Sequence, residues 1–68
     1  MKRLDVVATL EEIPSAQLAK GQVGTIVDEL SDNVVLVEFA DFDGVAYAIE
    51  PLPVSKLIEL HHTRSMAA

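Results

Sequence analysis

The sequence predicts an all-β fold, a small barrel of five short strands. Three observations carry that expectation. β-branched and alternating apolar runs recur along the chain, each closed by turn residues. Two glycines three apart, Gly21 and Gly24, stand where a loop turns into the second of these runs. Prolines cluster outside the runs, at Pro14 and at Pro51 and Pro53, where the ladder is expected to break.

Taken in order, Leu4 to Leu10 reads as the first strand, since Val6, Val7 and Thr9 are β-branched. Glu11-Glu12-Ile13-Pro14 ends it. The stretch Ser15 to Lys20 reads as a loop that pins Leu18 into the core. It has room for one helical turn capped by Ser15 and stopped by Gly21. Gln22 to Leu30 is the second strand, and Gly24 within it marks a bend or a close backbone crossing. Ser31-Asp32-Asn33 supplies a hairpin turn, and Val34 to Ala40 is the third strand. Its four leading apolar residues predict cover on both faces. Asp41-Phe42-Asp43-Gly44 is a second turn, with Gly44 suited to a positive φ, and Val45 to Ile49 is the fourth strand. Pro53 to Lys56 forms a single 3₁₀ turn leading into Leu57 to His61, the fifth strand. Residues 1–61 thus make one domain, and 62–68 carry no pattern and read as a disordered tail.

Short strands, two tight turns, a longer loop after strand one and a one-turn helix before strand five describe an SH3-like small barrel. The Asp5-Val6-Val7 strand followed by Gly21-x-x-Gly24-Thr25-Ile26-Val27 resembles the KOW-type version of that barrel. The resemblance implies that one glycine turns the chain into strand two and the other lets it bend across the sheet. A second resemblance covers more motifs. Leu4 to Val7, Leu18-Ala19-Lys20-Gly21 to Val27, Val37-Glu38-Phe39, Asp41 to Gly44 and Leu52-Pro53 to Leu57 are similar to a group of short bacterial proteins classed as a domain of unknown function. Such genes often lie beside a partner gene, sometimes in pairs resembling toxin–antitoxin modules. That resemblance implies a protein-binding accessory role, and no activity.

Composition narrows the function classes. The 68 residues are 50% apolar with a mean hydropathy of +0.31, yet contain three aromatics, no Trp and no Cys. A core of Val, Leu, Ile and Ala without disulfide staples leaves surplus apolar surface, which predicts a homo-oligomer or a bound protein. The net charge of −6 opposes a phosphate backbone, and the five basic residues are scattered. KOW-type barrels often contact RNA, so nucleic-acid binding is the alternative reading, although the basic residues interleaved with aromatics that it needs are missing. The aromatic groove that reads proline-rich peptides is missing too. Charged residues close to the start interrupt any leader-like apolar run, no run is long enough to span a membrane, and cysteine is absent, so a cytoplasmic location is expected.

No motif predicts catalysis. Lys20-Gly21-x-x-Gly24 lacks the order of a phosphate-binding loop, whose lysine follows its glycines and opens a helix. Asp41-x-Asp43-Gly44 with Glu50 overlaps the end of a calcium loop, but Phe39 would fall on the first ligand position. His61 and His62 point to opposite sides of an extended strand and cannot chelate one ion together. The carboxylates Glu11, Glu12, Asp28, Glu29 and Asp32 fall at strand ends and turns and read as solvated surface. Asp5 and Glu38 interrupt apolar strands, where each satisfies backbone donors or faces a partner. No enzyme, metal site or cofactor is expected. The expected partner surface is Asp41, Phe42, Asp43, Tyr47 and Glu38, and Gly21, Gly24 and Gly44 are expected to be structural.

Overall fold

The computed structural model describes residues 1–41 and 43–61. The expectations for Phe42, for His62 and for a tail over 62–68 lie outside the described residues. Five strands form one antiparallel sheet: β1 (Val6–Thr9), β2 (Val23–Glu29), β3 (Val34–Ala40), β4 (Ala46–Pro53) and β5 (Leu57–Glu59). Their order is β4-β3-β2-β1-β5, so β2, β3 and β4 follow one another as a meander while β5 returns beside β1. β4 and β5 are both edges, and no hydrogen-bonded ladder closes them into a barrel.

One face of this sheet is the core. Strand alternation sends Val7, Ile26, Val35, Val37, Phe39, Leu52 and Leu57 to the same side, where all are buried. Ile13 and Leu18 come from the loop after β1 and cover them, tied together by mutual backbone hydrogen bonds of 2.9 and 3.1 Å. Leu18 is therefore in the core as its sequence context predicts. The 3₁₀ turn here runs Pro14–Ala16 and has no side-chain cap from Ser15. Gln17, not Gly21, ends it by taking the left-handed conformation at φ 56°.

β3 has the bounds its sequence predicts, but only one of its faces is covered. Val35, Val37 and Phe39 are buried, whereas Val34, Leu36 and Glu38 on the other side are half-buried. β4 runs on past Ile49 through Pro51 and Pro53, where the sequence predicts a break. The reason is its edge position. The Val54 N–H bonds the Asn33 carbonyl at 2.8 Å, which turns the backbone of residues 51 and 53 outward, where a missing N–H costs no ladder bond.

Local chemistry fixes the joints between strands. Gly24 pairs with Val7, and a Cβ there would meet Val37 Cγ1 at 2.7 Å and the Phe39 ring at 2.8 Å. It is a close-approach glycine, but what approaches it is the side chains of Val37 and Phe39 rather than the crossing backbone that the sequence suggests. Gly21 holds a positive φ of 78° where the loop enters β2. The loop is anchored by Thr9, whose hydroxyl donates to the Ala19 carbonyl at 2.6 Å and accepts from the Gln22 N–H at 2.9 Å. Thr9 is 2% exposed, the one buried polar residue among those described. At the other end of β1, Asp5 N–H bonds the Lys2 carbonyl with Leu4 at φ 75° between them. Leu4 N–H then bonds the Ile26 carbonyl while Ile26 N–H bonds the Asp5 carbonyl. That is a tight turn running into a β-bulge, with leucine at the place glycine normally takes.

Candidate interaction surface

The face of the sheet opposite the core carries the chain's unexplained chemistry. The register sets Val6 opposite Thr25, Thr25 opposite Glu38, and Glu38 opposite Ile49. Leu60 adds to this row through its N–H on the Val6 carbonyl at 2.8 Å. A second row sets Ile58 and Val23 on either side of Ala8. Val6, Val23, Ile49, Ile58 and Leu60 are all at least 40% exposed on this face. The exposed apolar residues thus come from β1, β2, β4 and the β5 end, with Glu38 of β3 among them.

At one end of the face the β3–β4 turn meets the start of β2. Gln22, Val23, Ala40, Asp41 and Tyr47 line an open cleft of about 480 Å³ there. The register slips between Ala40 and Phe39, which makes Tyr47 the extra residue of a bulge. Its ring lies 6.5 Å from that of buried Phe39 and its hydroxyl accepts from the Gln22 side-chain amide. Val23 belongs to both the cleft and the apolar rows, so the two surfaces are continuous.

The expected partner residues divide. Asp41 and Tyr47 meet in the cleft, and Glu38 sits between Thr25 and Ile49, next to the β4 edge of the first row. Asp43 stands exposed in the turn. Asp41 also braces its own turn, because its Oδ1 accepts the Asp43 N–H at 2.9 Å and the Val45 N–H at 3.0 Å where Gly44 takes φ 80°. Asp5 and Glu38 separate in the same spirit. Asp5 Oδ2 accepts the Lys2 N–H at 2.9 Å, while Glu38 faces outward between Thr25 and Ile49. The residues that sequence reading missed are the exposed aliphatics Val23, Ile49 and Ile58. Their signal is present in the alternation, but it acquires a side only once the pairing is known.

Elsewhere the polar groups are accounted for locally. Lys56 pairs with Glu11 at 3.4 Å and His61 with Glu59 at 3.3 Å, all near the surface. Among the described residues no three His, Asp or Glu side chains gather to hold a metal ion, and no helix is long and apolar enough to cross a membrane.

These features define a small acidic all-β domain whose outer sheet face carries exposed aliphatic residues together with the Glu38 carboxylate. A family model matches residues 3–59, and the chain belongs to that family, described as a domain of unknown function (DUF4926). No curated protein and no solved structure matches the chain.

Proposed function

We propose that this protein is a non-enzymatic interaction module that works by binding another protein, either a second copy or the product of a neighbouring gene. The observation that carries this reading is the set of exposed aliphatic residues gathered on the outer face, Val6, Val23, Ile49, Ile58 and Leu60, because contiguous apolar surface is the kind that marks contact sites. Burying such a surface contributes roughly 25 cal/mol per Å², so a partner that covers it gains directly from the hydrophobic effect. The net charge of −6 supports a basic partner, because opposite potentials accelerate encounter.

The fold supports the same reading at a finer level. A meander of three strands, a long loop after β1 and a 3₁₀ turn delivering β5 beside β1 are the ingredients of an SH3-like, KOW-type small barrel. We take the sheet to be a partly open form of it, acting in the cytoplasm. The test is affinity capture from the native host combined with light scattering. A specific co-purifying protein or a defined oligomer is expected. A monomer that captures no protein would overturn the reading. A mobility shift with mixed RNA and DNA at low salt examines the nucleic-acid alternative, and tight binding there would replace the proposal.

A further inference from the structure

We propose that the open cleft between the β3–β4 turn and the start of β2 holds an arginine side chain of a different protein, its guanidinium stacked on Tyr47 and hydrogen-bonded to Asp41. The proposal rests on the protein-binding reading above and names one anchor within it. Four observations lead to it.

The first is the chemistry of the lining. Gln22, Val23, Ala40, Asp41 and Tyr47 supply one amide, two aliphatic side chains, one carboxylate and one phenol ring, with no lysine or arginine. An uncharged group laid over Asp41 would take water from the carboxylate and return no partner. A phosphate or other anion would meet a like charge. A metal ion would find one carboxylate, and among the described residues no three His, Asp or Glu side chains gather to hold one. An organic cation is the occupant that this lining fits.

The second is that both recognition groups are held before anything binds. Asp41 Oδ1 accepts the Asp43 N–H at 2.9 Å and the Val45 N–H at 3.0 Å, which fixes the carboxylate in its turn. Its Oδ2 has no hydrogen bond among the described residues. Tyr47 is tied through its hydroxyl to the Gln22 amide and packs beside buried Phe39, yet remains 50% exposed. Groups ordered in advance lose little freedom when a ligand arrives.

The third selects arginine among cations. A guanidinium is planar and weakly hydrated, so its face stacks on a ring while its edge donates to a carboxylate oxygen. The ammonium of lysine is a strongly hydrated point charge and gains less from the ring. Val23 and Ala40 offer apolar surface to the methylene stem.

The fourth concerns the source of the side chain. A free small molecule is held by a pocket that covers most of its surface, which an open cleft does not. A side chain delivered by a protein needs less cover, because the body behind it rests on the surroundings. Val45 and Ile49, on either side of Tyr47 in the chain, are both more than half exposed there. A second copy would bring eleven carboxylates with its five basic residues, and Lys56 is already paired with Glu11. Charge therefore favours a basic partner over another copy of this chain.

The experiment titrates ¹⁵N-labelled protein with a blocked Gly-Ser-Arg-Ser-Gly peptide and with analogues carrying lysine or citrulline, the uncharged isostere, at the centre. The arginine peptide is expected to shift the amides of Gln22, Val23, Asp41 and Tyr47, with affinity falling as salt rises. The lysine peptide should bind several-fold more weakly and the citrulline peptide should give no saturable shift. Asp41→Asn keeps an oxygen to brace the turn and should weaken the arginine peptide about tenfold, the equivalent of one charge-assisted hydrogen bond. Tyr47→Leu should weaken it about threefold and Tyr47→Phe, which keeps the ring, much less. Asp43→Asn, the same charge change on a turn residue outside the lining, should leave it nearly unchanged. Equal binding of the citrulline or lysine peptide, equal weakening by Asp41→Asn and Asp43→Asn, shifts confined to other surfaces, or no shift at all would overturn the proposal. So would a dimer in light scattering that Asp41→Asn dissociates. Capture from the host with Asp41→Asn/Tyr47→Leu separates the two levels. A partner retained by this variant overturns the cleft and leaves protein binding standing, whereas no partner for either protein removes both.

Discussion

Replacing Gly24 by alanine adds one methyl group, and the structure gives it nowhere to go. An ideal Cβ lies 2.7 Å from Val37 Cγ1 and 2.8 Å from both Cδ1 and Cε1 of Phe39. Carbon atoms are comfortable at about 3.5–4.0 Å, so the neighbours must retreat by about 1 Å. Val37 and Phe39 are fully buried, so neither can swing into solvent. Overpacking of this kind costs about 1–3 kcal/mol, and three simultaneous contacts place Gly24→Ala at the upper end. Alanine returns about 0.5–1 kcal/mol by restricting the unfolded chain, which leaves a net loss of about 2 kcal/mol. A domain of this length has about 3–10 kcal/mol in total, and the melting temperature should fall by about 10–15 °C. Urea unfolding followed by far-ultraviolet circular dichroism should show a lower midpoint with an unchanged m-value. Gly21→Ala is the control. It also sits at the entrance to β2, but with φ 78° and no heavy atom within 4 Å of its added Cβ, so only conformational strain of about 1 kcal/mol applies. A Gly24→Ala loss below about 0.5 kcal/mol, or a larger loss at Gly21, would refute the close-approach argument.

Leu4→Gly should raise stability by about 0.5–1 kcal/mol, because relief of the left-handed leucine exceeds the added freedom of the unfolded chain. Leu4 is 74% exposed and has little packing to lose, and a lower melting temperature would contradict this. Thr9→Val keeps the shape of the side chain but strands the Gln22 N–H and the Ala19 carbonyl. A loss of about 2–3 kcal/mol is expected, with faster hydrogen exchange at Gln22; unchanged exchange would argue against the anchor. Asp41→Ala should cost about 1 kcal/mol and move the amide resonances of Asp43 and Val45, which it caps. Asp43→Ala, in the same turn, should not move Val45 comparably.

The parts of this fold that were legible in the sequence are those decided by local chemistry. Val34 to Ala40 is recognisable because β-branched residues are bounded by Ser31-Asp32-Asn33 on one side and Asp41 to Gly44 on the other. Both turns are built by the side chains that announce them: Ser31 Oγ accepts from the Asn33 and Val34 N–H groups at 3.3 and 3.1 Å, as Asp41 does in its own turn. The extent of β4 was not legible, because a proline breaks a central strand and is harmless on an edge, and edge position is a property of the whole sheet. Leu4 was not legible either. Nothing in a leucine signals a left-handed backbone, which the bulge against Ile26 imposes from outside. Thr9 reads as one more β-branched residue until the loop it anchors is in place.

The candidate surface was half legible for the same reason. Its polar members stood out because Glu38, Asp41 and Asp43 interrupt an apolar pattern. Its apolar members were hidden by the expectation that four greasy residues at the head of β3 meant two covered faces. Pairing shows that Val35 meets the core while Leu36 faces out, between Asp28 and Pro51. The two prolines then acquire a common meaning with the apolar rows. An apolar sheet with open edges is prone to add strands from any extended chain, its own copies included. Pro51 and Pro53 close much of the longer edge to that route, and the shorter edge is three residues. Non-specific strand addition is thereby suppressed while the face beside it stays bare. A chain selected only to avoid association would have placed polar residues at Val23, Ile49 and Ile58, which contribute little to its core. On the proposed reading, these aliphatic residues beside one outward carboxylate are the surface a basic partner would cover.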